Sequence, residues 1–146
     1  MMEDDLNCLS LVKGEEFVVT GSEGGHLDIW KWDWFGDFKD RVGGHPEPIE
    51  SICKFNEKLL LTGCSDGWVR IVSLFPNKVK IFQNHADDLD EAMPITKLEL
   101  SHCKKFAASI SHDNAIKFYD ISEILTINET NINDEDMIEE VKVKPE

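Results

Sequence analysis

The sequence has no C-x-x-C pair, no long apolar run and a shortage of positive charge. Its four cysteines, Cys8, Cys53, Cys64 and Cys103, lie 45, 11 and 39 residues apart. Structural zinc and redox dithiols need closely paired ligands, so neither is expected. Cys53 and Cys64 sit inside apolar stretches and read as small buried thiols in a reducing compartment. No stretch approaches the roughly 20 apolar residues of a membrane helix. The opening residues do not read as a leader, so a nuclear or cytosolic location without membrane contact is expected. Lys and Arg number 15 against 29 Asp and Glu, a net charge of −14. A direct grip on nucleic acid needs clustered cations and is not expected, whereas basic protein partners suit such a surface.

With 146 residues, 41% of them apolar, the chain can build one folded domain. Helical periodicity is scarce, and period two dominates. "IESICKF" puts Ile49, Ser51, Cys53 and Phe55 on one side, and "WVRIVSL" puts Val69, Ile71 and Ser73 on one face. Short β-rich runs bounded by Gly, Asp, Asn and Pro are strands. Ser65-Asp66-Gly67, His112-Asp113-Asn114 and Phe75-Pro76-Asn77-Lys78 read as turns.

The pattern recurs. "EEFVVTGSEGGHLDIWKW", "EKLLLTGCSDGWVRIVSL" and "KKFAASISHDNAIKFYDI" align on their central turn. Thr20, Thr62 and Ser109 are 42 and 47 residues apart, and Gly24, Asp66 and Asp113 keep the same two offsets. Repeats of about 40 residues point to stacked supersecondary units. Each unit reads as four antiparallel strands. The first begins with a strand over Leu6–Val12, and the second and third open at Ile49 and Ile95. Units are expected over about 5–43, 44–83 and 84–127, with Ser122–Ile127 as a last strand and 128–146 as an acidic disordered tail. The acid-rich "NHADDLDEAMP" lengthens the connection before the third unit. The opening "MMEDDLNCLSLV" enters an apolar alternation almost at once, as though cut from a longer chain.

A His ahead of four strands, an Asp in the turn after the second, and an aromatic–polar pair closing the third resemble the WD-repeat family. The His stands here as Gly44-His45 and Asn84-His85, and the closing pair as Trp30-Lys31, Val72-Ser73 and Tyr119-Asp120. The resemblance implies an all-β WD-repeat β-propeller, here about three four-stranded blades of a partial, open ring. Propellers typically need four to eight blades, so missing blades of a roughly seven-bladed ring, or self-association, are expected. "LFPNKV" and "LSHCKKFAASISHD" narrow the resemblance to the C-terminal repeats of a nucleolar branch of the family. That likeness implies a scaffold for protein–protein interaction in ribosomal-RNA processing and ribosome biogenesis, with pre-ribosomal factors as partners and a nuclear or nucleolar location. The lysine-rich C-terminal extension usual in that branch is absent from this sequence. A ubiquitin-ligase substrate adaptor is the alternative scaffold. An Arg two residues after the closing pair would favour it, and Ser122 stands there instead.

No catalytic residue, cofactor or metal is expected. Ser111-His112-Asp113 imitates part of a triad, but neighbours on a strand or turn point in different directions. His102-Cys103 are likewise neighbours, not a zinc pair. "GSEGG" precedes a strand, so it cannot open a phosphate-binding helix. The family resemblance instead implies a buried polar chain of His, hydroxyl, turn Asp and strand aromatic. It maps to His45, Thr62 and Asp66 in the second unit, where Val72 interrupts it, and to His85, Ser109, Asp113 and Tyr119 in the third. The first offers Thr20 and Trp30, with Gly24 at the Asp position. On this reading Asp66→Ala leaves His45 unpaired and costs about 1–3 kcal/mol. Trp30, Trp32, Trp34, Phe35 and Phe38 form an aromatic cluster. Of these, Trp34 and Phe35 fall in a turn and are the candidates for a partner patch.

Overall fold

The computed structural model describes residues 4–74, 77–86, 93–122 and 124. The segment expected to be a disordered tail, 128–146, lies outside them, as do Phe75 and Pro76 of one expected turn. Among the described residues, the strands of the three repeats pair antiparallel throughout. The first sheet runs β1 (Leu6–Val12), β2 (Phe17–Ser22), β3 (Leu27–Lys31), β4 (Asp40–Val42), in that order. The second runs β5 (Ile49–Lys54), β6 (Leu59–Cys64), β7 (Trp68–Ser73), β8 (Lys78–Asn84). The third holds β9 (Lys97–Leu100), β10 (Phe106–Ile110) and β11 (Ile116–Asp120).

The third sheet corrects two expectations. Among the described residues it has three strands, and Ser122 and Ile124, expected in a fourth, lie in a helical turn; Glu123 and 125–127 of that expected strand lie outside the described residues. The Asp120 carboxylate is the cause: its Oδ1 accepts from the Ser122 amide at 2.9 Å and the Ser122 hydroxyl at 2.6 Å. That local bond offers the backbone an alternative to a ladder. The turn then sets Ile121 and Ile124 three residues apart, both buried against the second sheet. Ile95 does not open a strand either. It precedes β9 as a buried plug, and its carbonyl accepts from Ser51 Oγ at 3.2 Å.

The sheets stack face to face through two apolar layers. Val12, Phe17, Val19, Leu27 and Ile29 of the first sheet meet Ile49, Leu60, Val72 and Leu74 of the second. Leu59, Leu61, Val69 and Ile71 point the other way, onto Leu98, Ala107, Tyr119 and Ile121. The period-two alternation of β6 and β7 therefore feeds both neighbours, as a strand buried on both faces must. Gly21 and Gly63 allow the close approach. A Cβ at Gly21 would lie 2.8 Å from Ile49 Cγ2, and one at Gly63 2.7 Å from Ile95 Cγ2. The opening isoleucine of each following repeat is thus seated on a glycine of the one before. At the same position of the third repeat stands Ile110, which is exposed.

Antiparallel order sorts the turns to two ends. The β1–β2 and β5–β6 turns and the β3–β4 connection share one end, where the Gly14 amide donates to Glu57 Oε2 at 2.9 Å. The β2–β3, β6–β7 and β10–β11 turns lie at the other end, with the connections that carry His45 and His85.

Candidate functional site

The third repeat gathers its four polar residues into one chain. His85 is held at the end of β8, Ser109 lies on β10, Tyr119 on β11 and Asp113 in the turn between them. His85 Nε2 lies 3.1 and 3.2 Å from the two Asp113 oxygens. Its Nδ1 is 2.6 Å from Ser109 Oγ, and that oxygen is 2.7 Å from Tyr119 OH. A carboxylate only accepts, so the His85 Nε2–H donates to Asp113. Nδ1 then accepts from Ser109, whose oxygen accepts from Tyr119. Every donor is used, and the His85 hydrogen bond holds the Asp113 carboxyl below its ordinary range. The trio has the connectivity of a hydrolase triad. However, Ser109 is 1% exposed, closed between His85 and Tyr119, so its oxygen is out of reach of a carbonyl. Ser111, His112 and Asp113 diverge: Ser111 donates to the Pro94 carbonyl at 2.7 Å, and His112 is exposed.

In the second repeat the chain is broken at both ends. His45 Nε2 meets Thr62 Oγ1 at 2.8 Å. Val72, at the position of Tyr119, is buried in the apolar layer against the first sheet. The expected bond between Asp66 and His45 is not formed. Asp66 instead clamps Arg70: Oδ1 accepts from one guanidinium nitrogen at 3.1 Å and Oδ2 from the other at 2.6 Å. A bidentate pair with a buried guanidinium outcompetes a neutral ring for the same carboxylate. Burial alone would raise the Asp66 carboxyl, but the Arg70 hydrogen bonds and charge, with the Trp68 amide, hold it below its ordinary range. His45 Nδ1 is left buried without a hydrogen-bond partner. Burial and then the Arg70 charge push the ring down to about 4, so it stays neutral. With Nε2–H donating to Thr62, the Thr62 hydroxyl can reach the Arg70 carbonyl at 3.5 Å.

The first repeat keeps one link, Trp30 Nε1–H to Thr20 Oγ1 at 2.9 Å. It adds a pair of its own, as Asp28, fully buried, receives Arg41 Nε at 2.6 Å and its Nη2 at 3.2 Å. Arg70 and Asp28 are what sequence reasoning missed. A signal was present: Asp28, Arg70 and Lys117 sit directly opposite Thr20, Thr62 and Ser109, an ionisable residue at one register position in all three repeats.

The aromatic cluster divides. Trp30 and Phe38 pack edge to face at 6.1 Å, with the Arg41 guanidinium 4.4 Å above Phe38. Trp32 stacks edge-on to Phe35 at 5.7 Å. Trp34 is 71% and Phe35 53% exposed. Burial pushes the Cys8 and Cys53 thiols up to about 11, Cys64 is buried, and Cys103 is exposed in the β9–β10 turn. Among the described residues no group of His, Cys, Asp or Glu is placed to hold a metal ion, and no helix is long and apolar enough to cross a membrane.

Stacked antiparallel sheets, with a His–hydroxyl–Asp–aromatic chain complete in the third repeat and kept in part in the first two, are the marks of WD-repeat blades, and the chain belongs to the WD-repeat family. It is similar to WD repeat-containing proteins of an animal, a plant and a fungus. It is 36% identical over 124 residues to WD repeat-containing protein 55 of Mus musculus, covering 84% of this chain and 31% of that one. The protein of the same name from Arabidopsis thaliana is 35% identical over 124 residues, covering 84% and 34%. WD repeat-containing protein JIP5 of Cryptococcus neoformans is 30% identical over 125 residues, covering 84% and 32%. The chain thus spans about a third of the length of these curated relatives. No protein-family model matches it.

Proposed function

We propose that these repeats form part of a non-catalytic scaffold that holds proteins together during ribosomal-RNA processing and ribosome assembly in the nucleolus. The observation that carries the scaffold reading is the consumption of reactive groups by architecture. Ser109, His85 and Asp113 saturate one another under the blade interface, and Arg70 and Arg41 are spent on Asp66 and Asp28. Exposed Trp34, Phe35 and Phe118, with the acids around them, offer surface that suits protein partners. The ribosomal part of the reading rests on the likeness to WD repeat-containing protein 55 and on "LFPNKV" and "LSHCKKFAASISHD". Affinity capture of the tagged full-length protein from nuclear extract, read by mass spectrometry, tests it. Pre-ribosomal particles and their RNA are expected in the eluate. Recovery of ubiquitin-ligase subunits in their place would assign the scaffold to substrate delivery and overturn the ribosomal reading.

A further inference from the structure

The connections between third and fourth strands are unequal in the two four-stranded blades. In the second blade, four residues, 74–77, join β7 to β8. In the first, eight residues, 32–39, join β3 to β4. The two begin alike: the Leu74 amide donates to the Lys58 carbonyl at 2.8 Å and the Trp32 amide to the Glu16 carbonyl at 2.9 Å. Leu74 is 1% exposed because the first blade covers it. Trp32, at the same position of the first blade, is 49% exposed. Trp34 and Phe35 follow Trp32 in the longer connection and are 71% and 53% exposed. They stand past the end of β3, on the turn closed by the Lys31–Trp34 bridge.

The extension has a fixed shape. Asp33 takes a left-handed conformation at φ 64°, and the Trp34 amide returns to the Lys31 carbonyl at 3.0 Å. The backbone that carries the exposed indole and phenyl rings is thereby set in a short tight turn. Acids alternate with the rings in "WDWFGD", and exposed Asp33 and Asp37 flank Trp34 and Phe35. The β1–β2 turn, tied to Trp32 through Glu16, adds exposed Glu15 and Glu16. Of the neighbouring lysines, Lys13 and Lys39 lie 5.4 and 4.9 Å from the Phe17 ring centre, drawn back over the sheet end, while Lys31, bridged to Trp34, is exposed, so that the acids outnumber the one cation left beside the rings. An indole face is the best aromatic acceptor for a cation, and a carboxylate beside it completes the site for a guanidinium. Apolar stem and charged head of one arginine can then be held at once.

We propose that the Trp34–Phe35 turn is a docking point for an arginine-bearing segment of a partner protein. The proposal rests on the scaffold reading and goes further by naming the chemistry of the partner. Aromatic side chains have only two torsions to fix, so on a backbone already held in a turn they lose little conformational entropy on binding.

The test uses the purified full-length protein and two labelled probes, an arginine–glycine repeat peptide and a glutamate–glycine repeat peptide of equal length. Fluorescence anisotropy is expected to show binding of the arginine probe alone, weakening as salt rises. The double change W34A and F35A should weaken it by roughly tenfold or more, as for an interface anchor. The change D33N with D37N should weaken it severalfold and flatten the salt dependence, with the rings left in place. Thermal melts of both variants should match the parent, since all four residues are exposed. Equal binding of the arginine probe by parent and W34A/F35A would overturn the proposal. So would self-association of the parent that W34A/F35A abolishes, since the patch would then serve a second copy. If the arginine probe fails while W34A/F35A still loses a specific captured protein, the partner chemistry falls and the scaffold reading stands.

Discussion

The second and third blades use the same four positions and solve them differently. In the third, Asp113, His85, Ser109 and Tyr119 form an unbroken chain with every donor used. In the second, an arginine two residues before Val72 captures the aspartate, and the histidine keeps only Thr62. A position in a repeat therefore dictates proximity, but charge decides the pairing. A guanidinium under the interface is expensive to leave uncompensated, so it takes the carboxylate first.

The largest effect should come from removing that carboxylate. Asp66→Ala strands the Arg70 guanidinium and is expected to cost about 3–5 kcal/mol in chemical denaturation. Adding Arg70→Leu should recover most of it. Failure of the second change to rescue would mean that Asp66 serves something other than Arg70.

Next in size is a pH effect confined to the second blade. The His45 ring is pushed from its ordinary 6.5 down to about 4 in the folded protein. Between those values the unfolded chain binds more protons, so stability rises with pH through that window and falls as pH drops from 6.5 toward 4. The loss should be on the order of 3 kcal/mol at the acid end. His45→Asn should flatten that stretch of a stability-against-pH curve. An unchanged slope would remove His45 from the account.

A smaller effect sharpens the contrast at the blade seams. Gly63→Ala would put a Cβ 2.4 Å from Ser51 Oγ and 2.7 Å from Ile95 Cγ2, and is expected to cost about 1–3 kcal/mol as overpacking. Ile110→Ala, at the same repeat position on the exposed face, should cost less than about 1 kcal/mol. Equal effects on denaturation midpoint would contradict the seating of each opening isoleucine on a glycine.

These contrasts mark where the sequence was legible. Offsets of 42 and 47 residues placed Thr20, Thr62 and Ser109 on equivalent strands, because a repeated period-two pattern leaves little choice of register. The first strand lies over Leu6–Val12, the same bounds that the alternation marks. The Asp120–Ser122 turn was not legible: Ile121, Leu125 and Ile127 carry strand-like composition, and a single side-chain hydrogen bond redirects the backbone at Ser122. The Asp66–Arg70 pair escaped for a related reason. Family resemblance supplied a partner for Asp66, while the competing cation four residues on had to be weighed by charge and burial. Trp34 and Phe35 were legible as turn residues only from the repeat alignment, which closes the third strand at Trp30-Lys31, since the alternation of Trp30, Trp32 and Trp34 by itself would carry the strand on.

A double-mutant cycle in chemical denaturation tests the central claim most directly, comparing His85 with Asp113 and His45 with Asp66. Coupling of about 1–2 kcal/mol is expected for the third-blade pair and close to none for the second-blade pair. Strong coupling between His45 and Asp66, or none between His85 and Asp113, would contradict it.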